Sequence, residues 1–350
     1  MKLLILTQIV DANDDVLGFM HGWIAEFAKH CEKVTVVCLK KGEVALPGNV
    51  RVYSLGKEKK YTNFKKIRYT LNFYKYIWQN RNDYDIVFVH MNYEYVNLGG
   101  IFWRLLGKKV GLWYAHGYAP IGLKTAEKLV HAIFTSTKSG CRINSHKINV
   151  IGQGIDVEKF KSLKPAGKPR NEIISIGRIS PSKDYGTLIS AVEVLKNKGV
   201  KIKVRIIGGP ATESDKNYFN ELSRTVDEKK LRDEIEFVGP VANREILKFL
   251  QSAALFVNMG QTGSLDKAMV EAMSAELPVL SCNEAMLEVF SDYKNELMYP
   301  KKDYKKLAEK IEYIINLPDE QYLKMGENLR RLVIDNHSLT KFINKILNLY

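Results

Sequence analysis

The chain has 350 residues, 45% of them hydrophobic and 26% charged, which fits about two domains with full cores and excludes a disordered, collagen-like or disulfide-stapled chain. The formal charge is +14, and residues 1–150 carry most of it, with 22 Lys and Arg against 11 Asp and Glu. So basic a half should meet something anionic: phospholipid headgroups, a phosphorylated acceptor or nucleic acid.

From the amino end, Lys2–Thr7 reads as a first strand, its apolar run being too short for a secretory segment. A helix is expected over Gly18–Lys29, where Phe19, Trp23 and Phe27 recur at helical spacing. The loop before it, Val10–Phe19, carries Asp11, Asp14 and Asp15, with Gly18 and His21 nearby; solvent is their expected partner and an acceptor hydroxyl the alternative. Further strands are expected at Val34–Cys38, Val50–Ser54, Ile86–His90, Val110–Ala115, Ala132–Thr135 and Ile148–Ile151. These runs are too apolar for one-sided strands, so helices should cover both faces of a parallel sheet. Lys57–Trp78 is rich in cations and aromatics. Read as a helix, it has a core stripe of Ile67, Leu71, Tyr74 and Trp78, leaving Lys65, Tyr69, Phe73 and Tyr76 on the opposite face. Aromatics on an outward face point to an anionic membrane surface or a lipid-linked acceptor, against ordinary packing on both sides.

Three polar features end or begin these strands. Asp83-Tyr84-Asp85 has the spacing of a metal-binding Asp-x-Asp, but it precedes a strand directly, so it belongs at the amino end of the sheet and is set aside. His90, with Asn92 and Tyr93, ends a strand and either lines an acceptor site or packs. His116 ends another and precedes Gly117. No apolar run reaches the ~18 residues of a membrane span; Gly99–Trp113 comes nearest but holds Arg104, Lys108 and Lys109. Cys31, Cys38, Cys141 and Cys282 lack metal or redox spacing and read as core residues of a reducing compartment. The expectation is a cytoplasmic protein, peripheral at the inner face of the plasma membrane if it meets a membrane at all.

Lys161–Arg170, with Pro165, Gly167 and Pro169, has linker composition. After it the strand–helix alternation resumes: strands at Glu172–Ile176, Lys203–Ile207, Ile235–Val238, Leu255–Asn258 and Pro278–Leu280, helices at Thr187–Asn197 and Asp215–Glu228. Two such runs make two doubly wound domains, residues 1–155 and 156–335, with ligands beyond the carboxyl ends of the strands. Residues 336–350 form a last helix with Phe342, Ile343, Ile346 and Leu347 on one stripe, expected to pack back on the first domain.

Two segments of the second half carry chemistry. In Ser175-Ile-Gly-Arg-Ile-Ser-Pro-Ser-Lys-Asp-Tyr185, a strand ends at Gly177 and leaves Arg178 and Lys183 in a loop before a helix. Two cations above a parallel sheet can clamp a diphosphate, although solvated loop cations have the same pattern. In Gly260-Gln-Thr-Gly-Ser-Leu-Asp-Lys-Ala-Met-Val-Glu271, a strand leads through Gly263 to a helix from about Leu265, with Ser264 as N-cap. The free N–H groups of a helix start hold anions. Glu271, among apolar neighbours inside that helix, either accepts from a diol such as a ribose or pairs with a nearby Lys.

In this order the two segments resemble glycosyltransferase family 4, retaining enzymes of the GT-B fold, in which two Rossmann-like domains face each other across a cleft. Gly154-Ile-Asp156 with Phe160, the strand end Val204–Gly209, Val238-Gly239-Pro240-Val241 and Ala272-Met273 with Pro278-Val279 resemble further segments of that family, over about residues 150–285. The resemblance implies a UDP- or GDP-sugar donor, with no cofactor and no metal. Its diphosphate would lie on Arg178 and Lys183, its ribose on Glu271, its base near Gly209, Val238 and Pro240, and its phosphates near Ser264, Leu265, Asp266 and Lys267. His116 stands where the family has a His that reaches the donor sugar. One departure matters: the first Glu of the family's pair falls on Gly263. The implied activity is transfer of a sugar to a glycan or lipid-linked acceptor, in surface polysaccharide assembly. The alternatives are a non-catalytic partner that binds sugar nucleotide, and a sugar-nucleotide epimerase. A nucleic-acid partner rests on charge alone, and no Gly-x-Gly-x-x-Gly follows the first strand to hold a nicotinamide dinucleotide.

Overall fold

A computed structural model describes residues 1–59, 64–161, 169–261 and 263–350. The expected linker therefore lies mostly outside the described residues, as do residues 60–63 of the basic, aromatic stretch. Two compact units form: Met1–Gly154 with Ala242–Arg244 and Leu339–Tyr350, and Ile155–Val241 with Glu245–Ser338.

The first unit alternates strand and helix: β1 (Lys2–Val10), α1 (Phe19–His30), β2 (Lys33–Lys41), β3 (Val50–Ser54), α2 (Lys65–Gln79), β4 (Ile86–His90), α3 (Tyr93–Leu105), β5 (Lys109–Trp113), α4 (Ile121–Leu129), β6 (Ala132–Thr135) and β7 (Ile148–Val150). Among the described residues the strands make one parallel sheet in the order β3-β2-β1-β4-β5-β6-β7. Successive side chains point to opposite faces, and each face has its own core. On β4, Ile86 and Phe88 join Trp23 and Phe27 of α1, whereas Val87 and Val89 join Phe73 of α2, Trp103 of α3 and Leu123 of α4. Burial on both sides is why these strands read as unbroken apolar runs. Asp83 and Asp85 lie at the amino end, as expected: Asp83 pairs with Lys33 at 2.7 Å and Asp85 accepts from the Lys2 amide at 3.0 Å.

The helix expected between β3 and β4 forms, but turned over. Phe73 and Ile77 are buried, with Tyr69 and Tyr76 half-buried beside them, while Ile67, Leu71, Tyr74 and Trp78 face outward. The aromatic stripe points inward because ring partners await it there: Phe73 stacks on Tyr95 at 5.7 Å and meets Trp103 edge-on at 6.0 Å, and Tyr76 lies 4.9 Å from Tyr53.

The second unit runs β8 (Glu172–Ile176), α5 (Tyr185–Asn197), β9 (Lys203–Ile207), α6 (Glu213–Glu228), β10 (Ile235–Gly239), α7 (Ile246–Ser252), β11 (Leu255–Asn258), α8 (Lys267–Ser274), β12 (Val279–Ser281), α9 (Lys294–Leu297), α10 (Tyr304–Ile315) and α11 (Asp319–Asn336). Its strands are parallel, in the order β10-β9-β8-β11-β12. A capping box starts α6, Thr212 accepting from the Asp215 amide and Asp215 from that of Thr212. The last helix, α12 (Leu339–Leu347), belongs to the first unit, where Phe342 lies 4.3 Å from Trp23 and 4.9 Å from Trp113, ring to ring.

Candidate functional site

In the second unit the chain steps from β8 to β9 and β10 on one flank, then crosses to β11 on the other. At such a reversal the loops after the two central strands part, leaving room for a ligand beyond their carboxyl ends. Glycines keep that edge low. The Gly177 amide donates to Ile207 at 2.9 Å, that of Gly208 to Gly239 at 2.9 Å, and that of Ile179 to Gly209 at 3.1 Å. At Gly208, φ is +135° and a Cβ would strike the Gly177 carbonyl, so only glycine fits. Pro240, exposed, lies against Gly209 at this end, and Val238, half-buried, is near the end of strand β10 before it.

Lys183 and Asp266 join the two sides of the reversal. Lys183 closes a short turn after β8, and its ammonium bonds to Asp266, on the loop after β11. The same Asp266 Oδ2 accepts from Asn258 Nδ2 at 3.1 Å, and Oδ1 accepts from the Ala268 amide at 3.2 Å. Asp266, not Ser264, is thus the N-cap of α8, and the helix begins at Lys267 rather than Leu265. Ser264 instead bonds through its carbonyl to Asn283 Nδ2 at 2.7 Å, and Leu265 is buried. A second tie crosses the reversal: Gln261 Nε2 donates to Asp184 Oδ2 at 2.9 Å, and Thr187 Oγ1 donates to the same oxygen at 2.8 Å.

One carboxylate that gathers an ammonium, an amide and a helix-end N–H occupies the kind of place an anion takes. Two further cations stand near. Arg178 is exposed, its Nε 3.9 Å from Asp215 Oδ2. Lys267 is enclosed, 3.9 Å from buried Glu271; burial pushes its ammonium down to about 8, against the attraction of Glu271 and Asp156 and with the repulsion of Lys159. Lys159 is lowered too, again by burial and against Glu271 and Asp156. Lys159 and Asp156 of the Gly-Ile-Asp segment therefore join the Lys267–Glu271 pair, a grouping sequence spacing did not bring out. The i,i+4 step from Lys267 to Glu271 did signal that pair.

At Gly263 φ is +69°, the left-handed region, where an L side chain is strained. The position where the resemblance implies a Glu thus has a backbone conformation that a Glu would resist.

The remaining candidates belong to the first unit. His116 is exposed after β5, Nδ1 accepting from the Tyr118 amide at 3.0 Å. His90 is packed: it lies 3.3 Å from Thr7 Oγ1 and meets the Phe19 and Trp23 rings edge-on. Asp11 and Asp14 accept from loop amides, as turn-forming residues do. Cys31, Cys38, Cys141 and Cys282 are free and buried. Among the described residues no group of three or more His, Cys, Asp or Glu could hold a metal ion, and no helix is long and apolar enough to cross a membrane.

Comparison with known proteins gives this arrangement a context. Residues 156–332 match the family described as glycosyl transferases group 1. The chain is 27% identical over 206 residues to the putative colanic acid biosynthesis glycosyltransferase WcaL of Escherichia coli, covering 56% of this chain and 48% of that one. It is 28% identical over 232 residues to the capsular polysaccharide biosynthesis glycosyltransferase CapM of Staphylococcus aureus, covering 61% and 56%. The chain thus spans about half the length of these curated relatives. The crystal structure of Anabaena HepE in complex with UDP and glucose superimposes with a TM-score of 0.76 over 99% of this chain and 98% of that one, at 15% identity, a likeness of fold. Two parallel-sheet, Rossmann-like units of this kind constitute the GT-B fold.

Proposed function

The chain belongs to the glycosyl transferases group 1 family, and from that premise we propose that it moves a sugar from a nucleotide-diphosphate donor to a glycan or lipid-linked acceptor in surface polysaccharide assembly. The observation that carries the reading is the Lys183–Asp266 pair across the strand-order reversal: an anion-binding place held by an internal carboxylate. An incoming diphosphate competes with Asp266 for Lys183 and draws on Arg178 as a second, bidentate cation. Glu271 accepts from the ribose diol, and Lys267 beside it balances that carboxylate. Gly209, Val238 and Pro240 supply a low surface for the base.

Transfer is retaining and needs no metal in this reading. The bond from the anomeric carbon to the phosphate oxygen breaks, the acceptor oxygen bonds to that carbon on the same face, and the departing phosphate oxygen takes the acceptor proton. Negative charge grows on the diphosphate as the sugar leaves, where fixed positive groups stabilise it most. The HepE complex makes uridine diphosphate the first nucleotide to test, with guanosine diphosphate the other.

Lys183→Ala and Arg178→Ala should each lower transfer by about 10²-fold, since each removes charge stabilisation from the transition state. Near-normal turnover in both would refute the clamp. A second reading, a non-catalytic binder of sugar nucleotide, is favoured by the backbone at Gly263. Donor binding without transfer, hydrolysis or isomerisation of any sugar nucleotide would establish it.

A further inference from the structure

The inverted setting of α2 leaves an apolar surface uncovered on the first unit. Ile67, Leu71, Tyr74 and Trp78, spaced by four, three and four residues, all lie on its outer face. Next to it runs α3: Tyr74 donates its hydroxyl to the Leu98 carbonyl at 3.0 Å, and the Trp78 ring lies 5.8 Å from that of Phe102. The outer face of α3 continues the stripe with Leu98, Ile101 and Leu105, the last 83% exposed. Scattered surface leucines are ordinary, but two adjoining helical stripes make one patch, and contiguous patches mark interaction sites.

The charges around the patch select what covers it. Within α2 there are four cations, Lys65, Lys66, Arg68 and Lys75, and no carboxylate. The Arg81 guanidinium lies 4.5 Å from the Trp78 ring, and Arg104 is exposed near the end of α3. The sole acid of the two helices, Glu94, is in the first turn of α3. A second copy docked face to face would set these cations against their own images with too few carboxylates to match. An anionic bilayer fits both features: aliphatic side chains enter the acyl region, Tyr74 and Trp78 rest at the boundary, and Lys and Arg reach the headgroup phosphates.

We propose that the α2–α3 face of the first unit is a docking surface for an anionic lipid bilayer. It uses the face opposite to the one sequence periodicity singled out, and it does not depend on the reading of the donor site. On such a surface the protein is restricted to acceptors within reach of the membrane.

The protein carries its own probe. Of its four tryptophans, Trp23, Trp103 and Trp113 are at most 2% exposed, whereas Trp78 is 55% exposed. With vesicles of phosphatidylcholine containing about 30% phosphatidylglycerol, the full chain should sediment, its emission should shift to the blue, and brominated acyl chains should quench it. Binding should weaken between about 0.1 M and about 1 M salt, and pure phosphatidylcholine should bind far less. Trp78→Phe should remove the spectral change while the protein still sediments. Leu71→Ser with Leu105→Ser, and separately Lys65→Glu with Lys66→Glu, should each lower partitioning about tenfold with circular dichroism unchanged. Failure to sediment with anionic vesicles would overturn the proposal, as would binding indifferent to both double variants or quenching that survives Trp78→Phe. So would a dimer in sedimentation equilibrium that Leu71→Ser with Leu105→Ser dissociates.

Discussion

Asp266 does two tasks that substitution can separate. Its Oδ1 caps α8, and its Oδ2 holds the Lys183 ammonium and the Asn258 amide. Asparagine caps a helix about as well as aspartate but carries no charge. Asp266→Asn should therefore leave α8 intact and free Lys183 for a phosphate, tightening UDP binding several-fold in isothermal titration; Asp266→Ala should lose about 1 kcal/mol of stability with the cap. Equal UDP affinity in wild type and Asp266→Asn would show that the carboxylate does not compete. Lys267 is separable by pH. Its ammonium titrates near 8 in the folded chain against an ordinary 10.5, so between those values the unfolded chain binds more protons. Its contribution to stability accordingly rises as pH climbs through that window and is constant below it. Urea unfolding of wild type and Lys267→Met should show that rise in the wild type only; parallel pH curves would place the lysine in water.

At the scale of elements, one helix separates what periodicity determines from what it leaves open. α2 carries two apolar stripes, and spacing alone ranks neither above the other. Structure ranks them through partners: Phe73 is 1% exposed between Tyr95 and Trp103, and Leu71 is 64% exposed. Phe73→Ala should cost about 3–5 kcal/mol and Leu71→Ala within about 0.5 kcal/mol, read from denaturant midpoints at equal slope. The reverse order would restore the orientation that sequence suggested. Strands were legible for a physical reason: buried on both faces, each is a short apolar run with a polar or glycine end, and β3, β4, β6, β8, β9 and β11 have the bounds read from sequence. The start of α8 was misjudged because Ser264 and Asp266 both suit an N-cap and only the loop path decides between them. The proposed diphosphate clamp shows in the sequence as a pair of loop cations, Arg178 and Lys183. Their partners do not: Asp266 meets Lys183 only through the crossing of the chain to β11, and Asp215 reaches Arg178 from the first turn of α6, after the neighbouring strand β9.

At the scale of the whole molecule, the two halves handle charge differently. Residues 151–350 hold 31 Lys and Arg against 28 Asp and Glu, and the cations of the candidate donor site each face a carboxylate: Arg178 with Asp215, Lys183 with Asp266, Lys267 with Glu271. Residues 1–150 have twice as many cations as acids, and the cations gather where an apolar surface is uncovered. Cations paired with carboxylates suit a ligand that exchanges with an internal anion, whereas a cluster of cations beside an exposed apolar stripe suits an extended anionic surface. Hydrogen exchange can locate the two ligands independently. Saturating UDP should slow exchange at the amides of residues 177–184 and 260–268, because bound ligand stabilises the segments that close on it. Anionic vesicles should instead slow the amides of α2 and α3 and leave residues 177–184 as they are. Protection by UDP confined to α2 and α3 would remove the donor site from the second unit, and protection of residues 177–184 by vesicles alone would make that site a lipid site.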